Sequence, residues 1–315
     1  MKIAILDYAT LGYDLDLSGA SKFGEVVKYE TTSKDEIKDR ITNVDIIIVN
    51  KIKITKDVLQ YANKLILICE TATGFDNIDI DACREKGIVV TNTPAYCSDC
   101  VAQLTVSMAL SLYTHLFEYR SFVHNGSYSK SNTANKLTPV FHEIAGKTWG
   151  IIGYGNIGKK VAKIASSLGC DILLYKRTKV DDYPCVDLNT LLSESDIISI
   201  HCPLNDNTRN LIDSSSISKM KKDVIIINVA RGGIWDEEAI ADAIIKSRIG
   251  GIGCDVFTKE PFDINHPFSK IYDYDNVILT PHMAWGSYES RKRCFDIILS
   301  NIESFLCGNA KNVVS

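Results

Sequence analysis

The stretch that most constrains the fold is Lys147 to Gly158, in which a short apolar run leads into the spacing Gly-x-Gly-x-x-Gly. The three glycines are Gly153, Gly155 and Gly158, and apolar residues at helical spacing follow them. This order predicts a strand, a tight turn and a helix, which is the context that a dinucleotide-binding fingerprint requires. We expect Gly153 to permit the turn, Gly155 to let the backbone approach a pyrophosphate, and Gly158 to let the helix pack on the strand. A purely structural glycine turn is the alternative.

Strand and helix patterns alternate before residue 90 and again after residue 147, which predicts parallel sheets covered by helices on both faces. A long helical pattern from Ser98 to about Tyr119 suits a connection between two domains, and the polar stretch 124–136 suits an arm over another surface, such as a partner subunit. We expect the final helical pattern, from Ser287 to Leu306, to return to the first domain.

The predicted fold is therefore α/β, with two parallel-sheet domains and an active-site cleft between them. The substrate domain, which we expect to be flavodoxin-like, would comprise residues 1–97 plus 287–315. The dinucleotide-binding Rossmann domain would comprise residues 98–286.

Charge and hydropathy exclude several classes of partner. The 35 basic and 39 acidic residues give a net charge of −4, and the absence of a long basic block argues against nucleic acid or an anionic membrane surface. Asp7 follows four apolar residues near the N-terminus, which predicts a first strand rather than a signal peptide. No apolar run approaches the roughly 18 residues that a membrane-spanning helix needs.

The ten cysteines are scattered along the chain, unlike those of a disulfide-stabilised secreted domain, so we expect reduced thiols and a cytoplasmic location. Cys97 and Cys100 have the spacing of a redox pair or of half a metal site. Neither a second cysteine pair nor a close histidine accompanies them. We therefore favour incidental thiols near the start of a helix and expect no metal site.

Lys176, Arg177 and Thr178 follow the second predicted strand of the fingerprint unit, where NAD-binding proteins usually carry an acidic residue. A carboxylate would accept hydrogen bonds from the ribose 2′-hydroxyl and repel a 2′-phosphate, whereas two cations and a hydroxyl suit a phosphate. The sequence therefore favours NADP(H). NAD(H) remains the alternative if the two cations belong only to a solvated strand end.

Polar groups also follow other predicted strands. Arg231 could grip a carboxylate and polarise a carbonyl with its fork of donors. His282 could deliver a proton to the carbonyl oxygen, and Glu260, if it lies beside His282, would stabilise the imidazolium and fix its tautomer. Asp255 could hold the nicotinamide carboxamide. Each residue alone has an ordinary explanation as a loop residue, but together the first three supply what the reduction of a 2-oxo acid needs.

The loop after the fourth predicted strand occupies a position where open α/β sheets bind ligands. In this loop Thr73 and Gly74 could offer backbone N–H groups to an anion. A plain connection between a strand and a helix is an equal alternative.

The chain resembles the D-isomer-specific 2-hydroxyacid dehydrogenases over essentially its whole length. The resemblance rests on motifs in the family's order: residues 72–79, 153–158, 201–204 with Thr208, 230–232 with 236–237, 253–257 with 260–261, and 281–282. Asn50 with Lys51, residues 72–74, and the run from His282 to Trp285 look most like the glycerate dehydrogenase/hydroxypyruvate reductase group. Lys176 departs from the family, because most members carry Asp there, and this puts a preference for NAD in doubt.

The resemblance implies a hydride-transferring oxidoreductase that acts on the CH–OH group of its donors, with catalytic residues Arg231, Glu260 and His282. It implies cofactor contacts from the glycine turn with Asn156 and Ile157, from Lys176, Arg177 and Thr178, and from Cys202, Pro203, Thr208, Val229, Ala230, Asp255 and Ala284. Substrate contacts would come from Lys51, Thr73, Gly74, Arg231, His282 and Trp285. Members are usually homodimers built through the cofactor domain.

The expected reaction is the reduction of hydroxypyruvate or glyoxylate to D-glycerate or glycolate by NAD(P)H. A D-lactate-type or 3-phosphoglycerate dehydrogenase is the alternative within the family. Formate is disfavoured, because formate dehydrogenases of this superfamily carry Gln in the role of Glu260. The alternative of another class is a non-catalytic, nucleotide-sensing interaction protein, since the superfamily includes transcriptional corepressors.

Overall fold

The computed structural model describes all residues from 1 to 315 and divides into two compact units. The first unit comprises residues 1–97 and 286–315, and the second comprises residues 98–285. Gly286 therefore belongs to the first unit, whereas the sequence prediction placed it in the second. The reason is local, since the carbonyl oxygen of Gly286 accepts a 3.0 Å hydrogen bond from Nε of Arg291 in the C-terminal helix.

The first unit is built on a five-stranded parallel sheet with the strand order β2-β1-β3-β4-β5. This is the flavodoxin-like order. The strands are β1 (Lys2–Ile5), β2 (Glu25–Lys28), β3 (Ile46–Val49), β4 (Leu67–Glu70) and β5 (Val89–Thr91). The helices are α1 (Ile37–Ile41), α2 (Lys56–Leu59), α3 (Ile80–Glu85) and α10 (Tyr288–Leu306).

The central strands of this sheet are buried because both of their faces are covered, and apart from Glu70 at the end of β4 their residues are apolar. All four residues of β3 are buried, as are the four of β4, which is the pattern of a parallel sheet between helices. Short helices are held at their starts by side-chain caps: Asp79 accepts a hydrogen bond from the N–H of Ala82 at the start of α3. The C-terminal tail pairs with the sheet edge, where the N–H of Val314 donates to the carbonyl of Val90.

The second unit is built on a six-stranded parallel sheet with the order β11-β10-β9-β8-β6-β7. Its strands are β6 (Thr148–Ile152), β7 (Asp171–Tyr175), β8 (Ile197–Ile200), β9 (Ile225–Asn228), β10 (Gly251–Cys254) and β11 (Val277–Leu279). Its helices are α4 (Ser98–Tyr113), α5 (Leu116–His124), α6 (Asn156–Ser167), α7 (Leu188–Glu194), α8 (Ser214–Lys219) and α9 (Glu237–Ile245).

The order of these strands reverses between β6 and β8. The chain passes from β6 to β7 on one side and then returns to β8 on the other side of β6. A crevice therefore opens beyond the carboxyl ends of β6 and β8. In open α/β sheets such a switch point is where ligands bind.

The predicted long helix from Ser98 to about Tyr119 is wrong, because the segment forms two helices, α4 and α5, that are bent by 64° relative to each other. His115 at the break has a φ of +51°, in the left-handed region that ends a helix. The hydroxyl of Thr114 donates to the carbonyl oxygen of Leu110, which competes with the helical backbone pattern.

No single helix is both long enough and apolar enough to cross a membrane. Taken together by length and composition alone, the bent pair α4 and α5 passes that test.

Candidate functional site

The turn after β6 is shaped by steric limits on its glycines. Gly153 has a φ of +95°, and a Cβ atom there would lie 2.6 Å from the backbone nitrogen of Cys202 in the loop after β8. A Cβ atom on Gly158 would lie 2.2 Å from the carbonyl oxygen of Gly153. Gly155, in contrast, has open space beside it. Two glycines thus permit tight packing, and the third leaves room for a ligand against the backbone.

Helix α6 begins at Asn156, directly after this turn, and Ile157 lies in its first turn. Gly155 occupies the N-cap position and has no side chain with which to cap the helix. The N–H groups of the first turn, together with the positive end of the helix dipole, therefore form a site suited to an anion. The open space at Gly155 is where a pyrophosphate would fit.

A cavity of about 330 Å³ lies at the carboxyl edge of β6, β7 and β8. Residues from the three loops that follow these strands line it, and they include most of the predicted cofactor residues: Gly153, Gly155, Lys176, Arg177, Thr178, Cys202, Pro203 and Thr208. Its position at the switch point and the anion site beside it fit the adenosine end of a nicotinamide dinucleotide.

Tyr154 links the glycine turn to the loop after β7. Its hydroxyl donates a 2.9 Å hydrogen bond to Oδ2 of Asp182, and the Nζ atom of Lys176 lies 5.6 Å from the centre of its ring. Burial, followed by the bond to Asp182, raises the pKa of Tyr154 to about 12, so the hydroxyl keeps its proton. The basic loop is thus attached to the turn through a residue that the sequence analysis did not select.

The loop after β8 is closed by its own hydrogen bonds. The hydroxyl of Thr208 donates to the carbonyl oxygen of Pro203 at 2.6 Å and accepts from the N–H of Asn205 at 2.8 Å. Burial raises the pKa of the Cys202 thiol to about 11, so this side chain is a neutral wall of the cavity. Burial also lowers the pKa of His201 to about 3, which leaves its imidazole neutral.

A second polar cluster forms where β10 and β11 end. Nδ1 of His282 lies 2.6 Å from Oε2 of Glu260, and the other carboxylate oxygen of Glu260 accepts a 2.9 Å hydrogen bond from the N–H of Phe257. Both side chains remain partly exposed. His282 has a φ of +52°, a strained conformation for a residue with a side chain. The two residues that were predicted to act together are therefore in contact.

Asp255 holds the turn that carries His282. Its buried carboxylate accepts hydrogen bonds from the hydroxyl of Thr280 at 2.6 Å and from the N–H groups of Met283 and Ala284 at 2.9 Å. Burial raises the pKa of Asp255 in spite of these bonds, which favour its charged form. Asp255 thus holds the side chain of Thr280 before His282 and the backbone directly after it. The sequence had suggested only a cofactor contact for this residue.

Arg231 follows β9 in a turn that Asn228 holds. The side chain of Asn228 accepts from the N–H of Ala230 at 3.1 Å and donates to the carbonyl oxygen of Arg231 at 3.0 Å, so it fixes the segment from Val229 to Arg231. Nη1 of Arg231 donates to the carbonyl oxygen of Ala230. Asn228 is fully buried and was not among the predicted site residues.

The Arg231 turn packs directly on the loop that carries Glu260. A Cβ atom on Gly232 would lie 2.1 Å from the carbonyl carbon of Phe257 and 2.2 Å from the backbone nitrogen of Thr258. Only glycine allows this approach. The peptide group between Phe257 and Thr258, which directly follows the N–H that donates to Glu260, is therefore in contact with the residue after Arg231.

Three predicted substrate residues lie in the first unit. The N–H of Lys51 donates to the buried carboxylate of Asp7 at 2.7 Å, so the backbone of this loop is fixed. The hydroxyl of Thr73, which precedes Gly74, donates to the carbonyl oxygen of Thr93 at 2.9 Å. Trp285, the remaining predicted substrate residue, follows Ala284 at the end of the second unit. Their roles in binding stay predictions.

No group of three or more His, Cys, Asp or Glu side chains is arranged to hold a metal ion. The second unit places a guanidinium, a carboxylate and an imidazole after strands of one sheet, together with the cavity at the carboxyl edge of β6, β7 and β8.

Comparison with known proteins shows which proteins this chain resembles in sequence. Residues 106–284 match the family model described as D-isomer specific 2-hydroxyacid dehydrogenase, NAD binding domain. The chain is 36% identical to a hydroxypyruvate reductase of Blautia hydrogenotrophica, an alignment that covers 100% of each protein.

Solved structures agree with this match. An acyclic imino acid reductase in complex with NADPH and D-Arg has a TM-score of 0.87 and 28% identity, with 100% of each chain covered. A D-lactate dehydrogenase from Aquifex aeolicus, complexed with NAD and lactic acid, has a TM-score of 0.85 and 29% identity, with 98% of this chain and 96% of that chain covered.

Proposed function

Because this chain belongs to the D-isomer specific 2-hydroxyacid dehydrogenases, and is therefore an oxidoreductase of small 2-oxo and 2-hydroxy acids that uses a nicotinamide cofactor, we propose that its preferred reaction is the reduction of hydroxypyruvate to D-glycerate. The observation that carries the proposal is the contact between His282 and Glu260 beside the Arg231 turn, in a chain whose full-length relative is a hydroxypyruvate reductase. Glyoxylate is the second expected substrate.

The proposed proton donor is His282. The carboxylate of Glu260 lies against Nδ1, which favours a proton on Nδ1 and directs Nε2 away from Glu260 for use by the substrate. Glu260 is itself oriented by the N–H of Phe257, so the imidazole is held in one orientation. In the direction of reduction, protonated Nε2 delivers its proton to the carbonyl oxygen, and in the reverse direction the neutral ring removes it.

Arg231 is the proposed anchor for the substrate. A guanidinium presents two parallel donors to a carboxylate and polarises a neighbouring carbonyl, which a single ammonium cannot do in the same geometry. The side chain of Asn228 donates to the backbone carbonyl oxygen of Arg231, which fixes the position from which the Arg231 side chain extends. When bound, the reduced nicotinamide supplies the hydride that is added to the 2-oxo carbon.

We assign further substrate contacts to the backbone N–H groups of Thr73 and Gly74, which suit a carboxylate, and to Lys51, which suits a polar substrate group. Trp285 would form an apolar wall that favours a short side chain. These assignments rest on the residue types and on the fixed backbones of Lys51 and Thr73.

The substrate assignment is tested by initial rates for hydroxypyruvate, glyoxylate, pyruvate and 2-oxoisocaproate, each with NADPH and with NADH. Hydroxypyruvate should give the highest kcat/KM. His282→Ala should lower kcat by about a hundredfold or more, because it removes the proton donor. Cofactor binding, followed by fluorescence, and the melting temperature should change little.

Two outcomes would overturn this assignment. If no 2-oxo acid turns over although the protein binds the nucleotide, the proposed substrate class is wrong, and a protein partner becomes the next candidate. If His282→Ala retains wild-type kcat, the proton donor is another group.

We further propose that NADP(H) is the preferred cofactor. Lys176, Arg177 and Thr178 line the cavity at the end of β7, where an NAD-binding protein usually places a carboxylate on the ribose. Arginine and lysine favour the two negative charges of a 2′-phosphate. Asp182 lies in the same loop, but its carboxylate accepts the hydrogen bond from Tyr154.

Lys176→Asp tests the cofactor preference, because it replaces a cation by the carboxylate that suits a free 2′-hydroxyl. The ratio of kcat/KM for NADPH to that for NADH should exceed one in the wild type and fall by at least about tenfold in the variant. Lys163→Ala, on the exposed face of α6, is the control and should leave the ratio unchanged. A wild type that uses NADH as well as or better than NADPH would contradict the proposal.

We also propose a homodimer formed through the second unit. Large apolar side chains are exposed in and after α5, a concentration that marks an interaction surface: Leu116, Phe117, Val123, Tyr128, Leu137, Val140 and Phe141. A second copy of this chain is the proposed occupant, in keeping with the predicted dimer.

All ten cysteines are free thiols, which supports a reducing, cytoplasmic environment.

Sedimentation of the purified chain tests the dimer. The wild type should have twice the mass of one chain at micromolar concentration. The double variant Leu137→Ser, Phe141→Ser should shift toward the monomer, because it removes two of the exposed apolar side chains. Ile264→Ser, which removes an exposed apolar side chain outside this segment, is the control. A monomeric wild type would contradict the proposal.

A further inference from the structure

A second histidine–glutamate pair lies behind the cluster formed by Glu260 and His282. Nε2 of His266 is 3.1 Å from Oε2 of Glu237, the first residue of α9. Their side chains are only 8% and 10% exposed. A glutamate is rarely buried to this extent unless it is paired, and the proposed mechanism uses neither residue.

The ring of His266 is held by aromatic neighbours. Its centre lies 4.7 Å from that of Phe262, 5.2 Å from that of Phe268 and 5.8 Å from that of Phe257. Phe257 and Phe268 belong to the buried core of the second unit. The imidazole therefore has a fixed position from which it holds the carboxylate of Glu237.

The hydrogen bonds of His266 define its tautomer. Its Nδ1 atom accepts a 3.2 Å bond from the N–H of Phe268, so the proton of the neutral ring resides on Nε2 and is donated to Oε2 of Glu237. The other oxygen, Oε1, accepts a 2.9 Å bond from the N–H of Thr258. Each carboxylate oxygen of Glu237 thus faces a donor.

Thr258 connects this pair to Glu260. The N–H of Phe257 donates to Glu260, and the next N–H along the chain, that of Thr258, donates to Glu237. The peptide group between them is also the surface on which Gly232 packs. The carboxylates of Glu260 and Glu237 therefore fix two consecutive N–H groups of one short segment. Glu260 also contacts the proposed proton donor, whereas Glu237 contacts His266, which is packed among core aromatic rings.

We propose that Glu237 and His266 form a positioning pair for Glu260, and through it for His282. The pair holds the N–H of Thr258 so that the preceding N–H, of Phe257, points at Oε1 of Glu260 and leaves Oε2 for His282. This inference rests on the proposed catalytic roles of Glu260 and His282. It assigns to Glu237 and His266 no contact with substrate or cofactor.

The geometry requires a carboxylate at position 237. The amide of Gln has one acceptor oxygen and one donor nitrogen, so it can accept from Thr258 or from His266, but not from both. A donor then faces a donor at the remaining contact, which costs more than the loss of one bond. The peptide before Thr258 is expected to rotate or shift, and the hold on Glu260 loosens.

The test compares Glu237→Gln with Glu238→Gln in the full-length protein. Glu238 is the matched control, because it is adjacent in α9 but exposed and paired with Lys270. In Glu237→Gln, kcat for hydroxypyruvate reduction should fall by about tenfold or more, while KM changes less. Glu238→Gln should match the wild type in both.

The pH profile separates positioning from a loss of packing. Reduction needs a protonated His282, and a loosened Glu260 stabilises that form less. The falling limb of kcat/KM with rising pH should therefore move to lower pH in Glu237→Gln. A variant that is merely less stable would melt earlier and keep the wild-type profile, and that result would overturn the proposal.

Variants at position 266 provide the second line of test. His266→Gln can still donate to Glu237 from its amide nitrogen and should retain most of the wild-type profile, whereas His266→Ala should behave like Glu237→Gln. NADPH binding by fluorescence shows whether each variant is folded. A wild type without turnover of any 2-oxo acid would defeat the proposed function, whereas an active wild type with an indistinguishable Glu237→Gln defeats this inference alone.

Discussion

The backbone between Phe257 and Thr258 is the constraint on which the polar cluster of the second unit depends. Gly232 packs on this peptide group, whose own N–H, that of Thr258, donates to Glu237, while the preceding N–H, that of Phe257, donates to Glu260. The contact fixes the turn after β9 relative to the loop after β10. Since Arg231 precedes Gly232 and His282 lies against Glu260, one backbone contact sets the spacing of groups from three separate loops.

Steric contacts also fix the loops around the proposed cofactor site. Gly153 touches the backbone at Cys202, so the loops after β6 and β8 meet without side chains between them. Gly155 keeps an open space, and the start of α6 faces it. Glycine therefore has two different roles within one turn. At Gly153 it permits close packing against another loop, and at Gly155 it leaves space for a phosphate beside the backbone. Tyr154, between them, ties the basic loop to this turn.

Many of the strands and the start of α6 were predictable from the sequence, because they follow from local periodicity. Apolar runs of four or five residues bounded by turn residues predicted β3, β6 and β9, and the glycine spacing predicted the start of α6. The break between α4 and α5 was not predictable in this way. The apolar repeat continues to Leu116, but His115 takes a left-handed conformation that only the surrounding structure can impose.

Some residues of the site were predictable from the sequence, and others became apparent only from their contacts in the structure. The residue types of Arg231, Glu260 and His282 suggested their chemistry before their contacts were known. Glu237 and His266 are 29 positions apart in the sequence. Glu237 lies in one of the motifs that carry the family resemblance, but nothing in that motif indicates a partner at His266. Asn228 likewise acts on backbone groups, and Thr280 donates to the carboxylate of Asp255, and neither kind of contact has a sequence signal. Residues that react can be recognised by type, whereas residues that position them are revealed by distances.

In the proposed mechanism, Glu260 holds His282 as the proton donor for the reduction of a 2-oxo acid. The most direct test is the pH dependence of kcat/KM for hydroxypyruvate in Glu260→Gln, measured with the preferred cofactor. Gln removes the charge beside the protonated imidazole, so the falling limb should move to lower pH, while activity persists at acidic pH. A profile that coincides with that of the wild type would contradict the account.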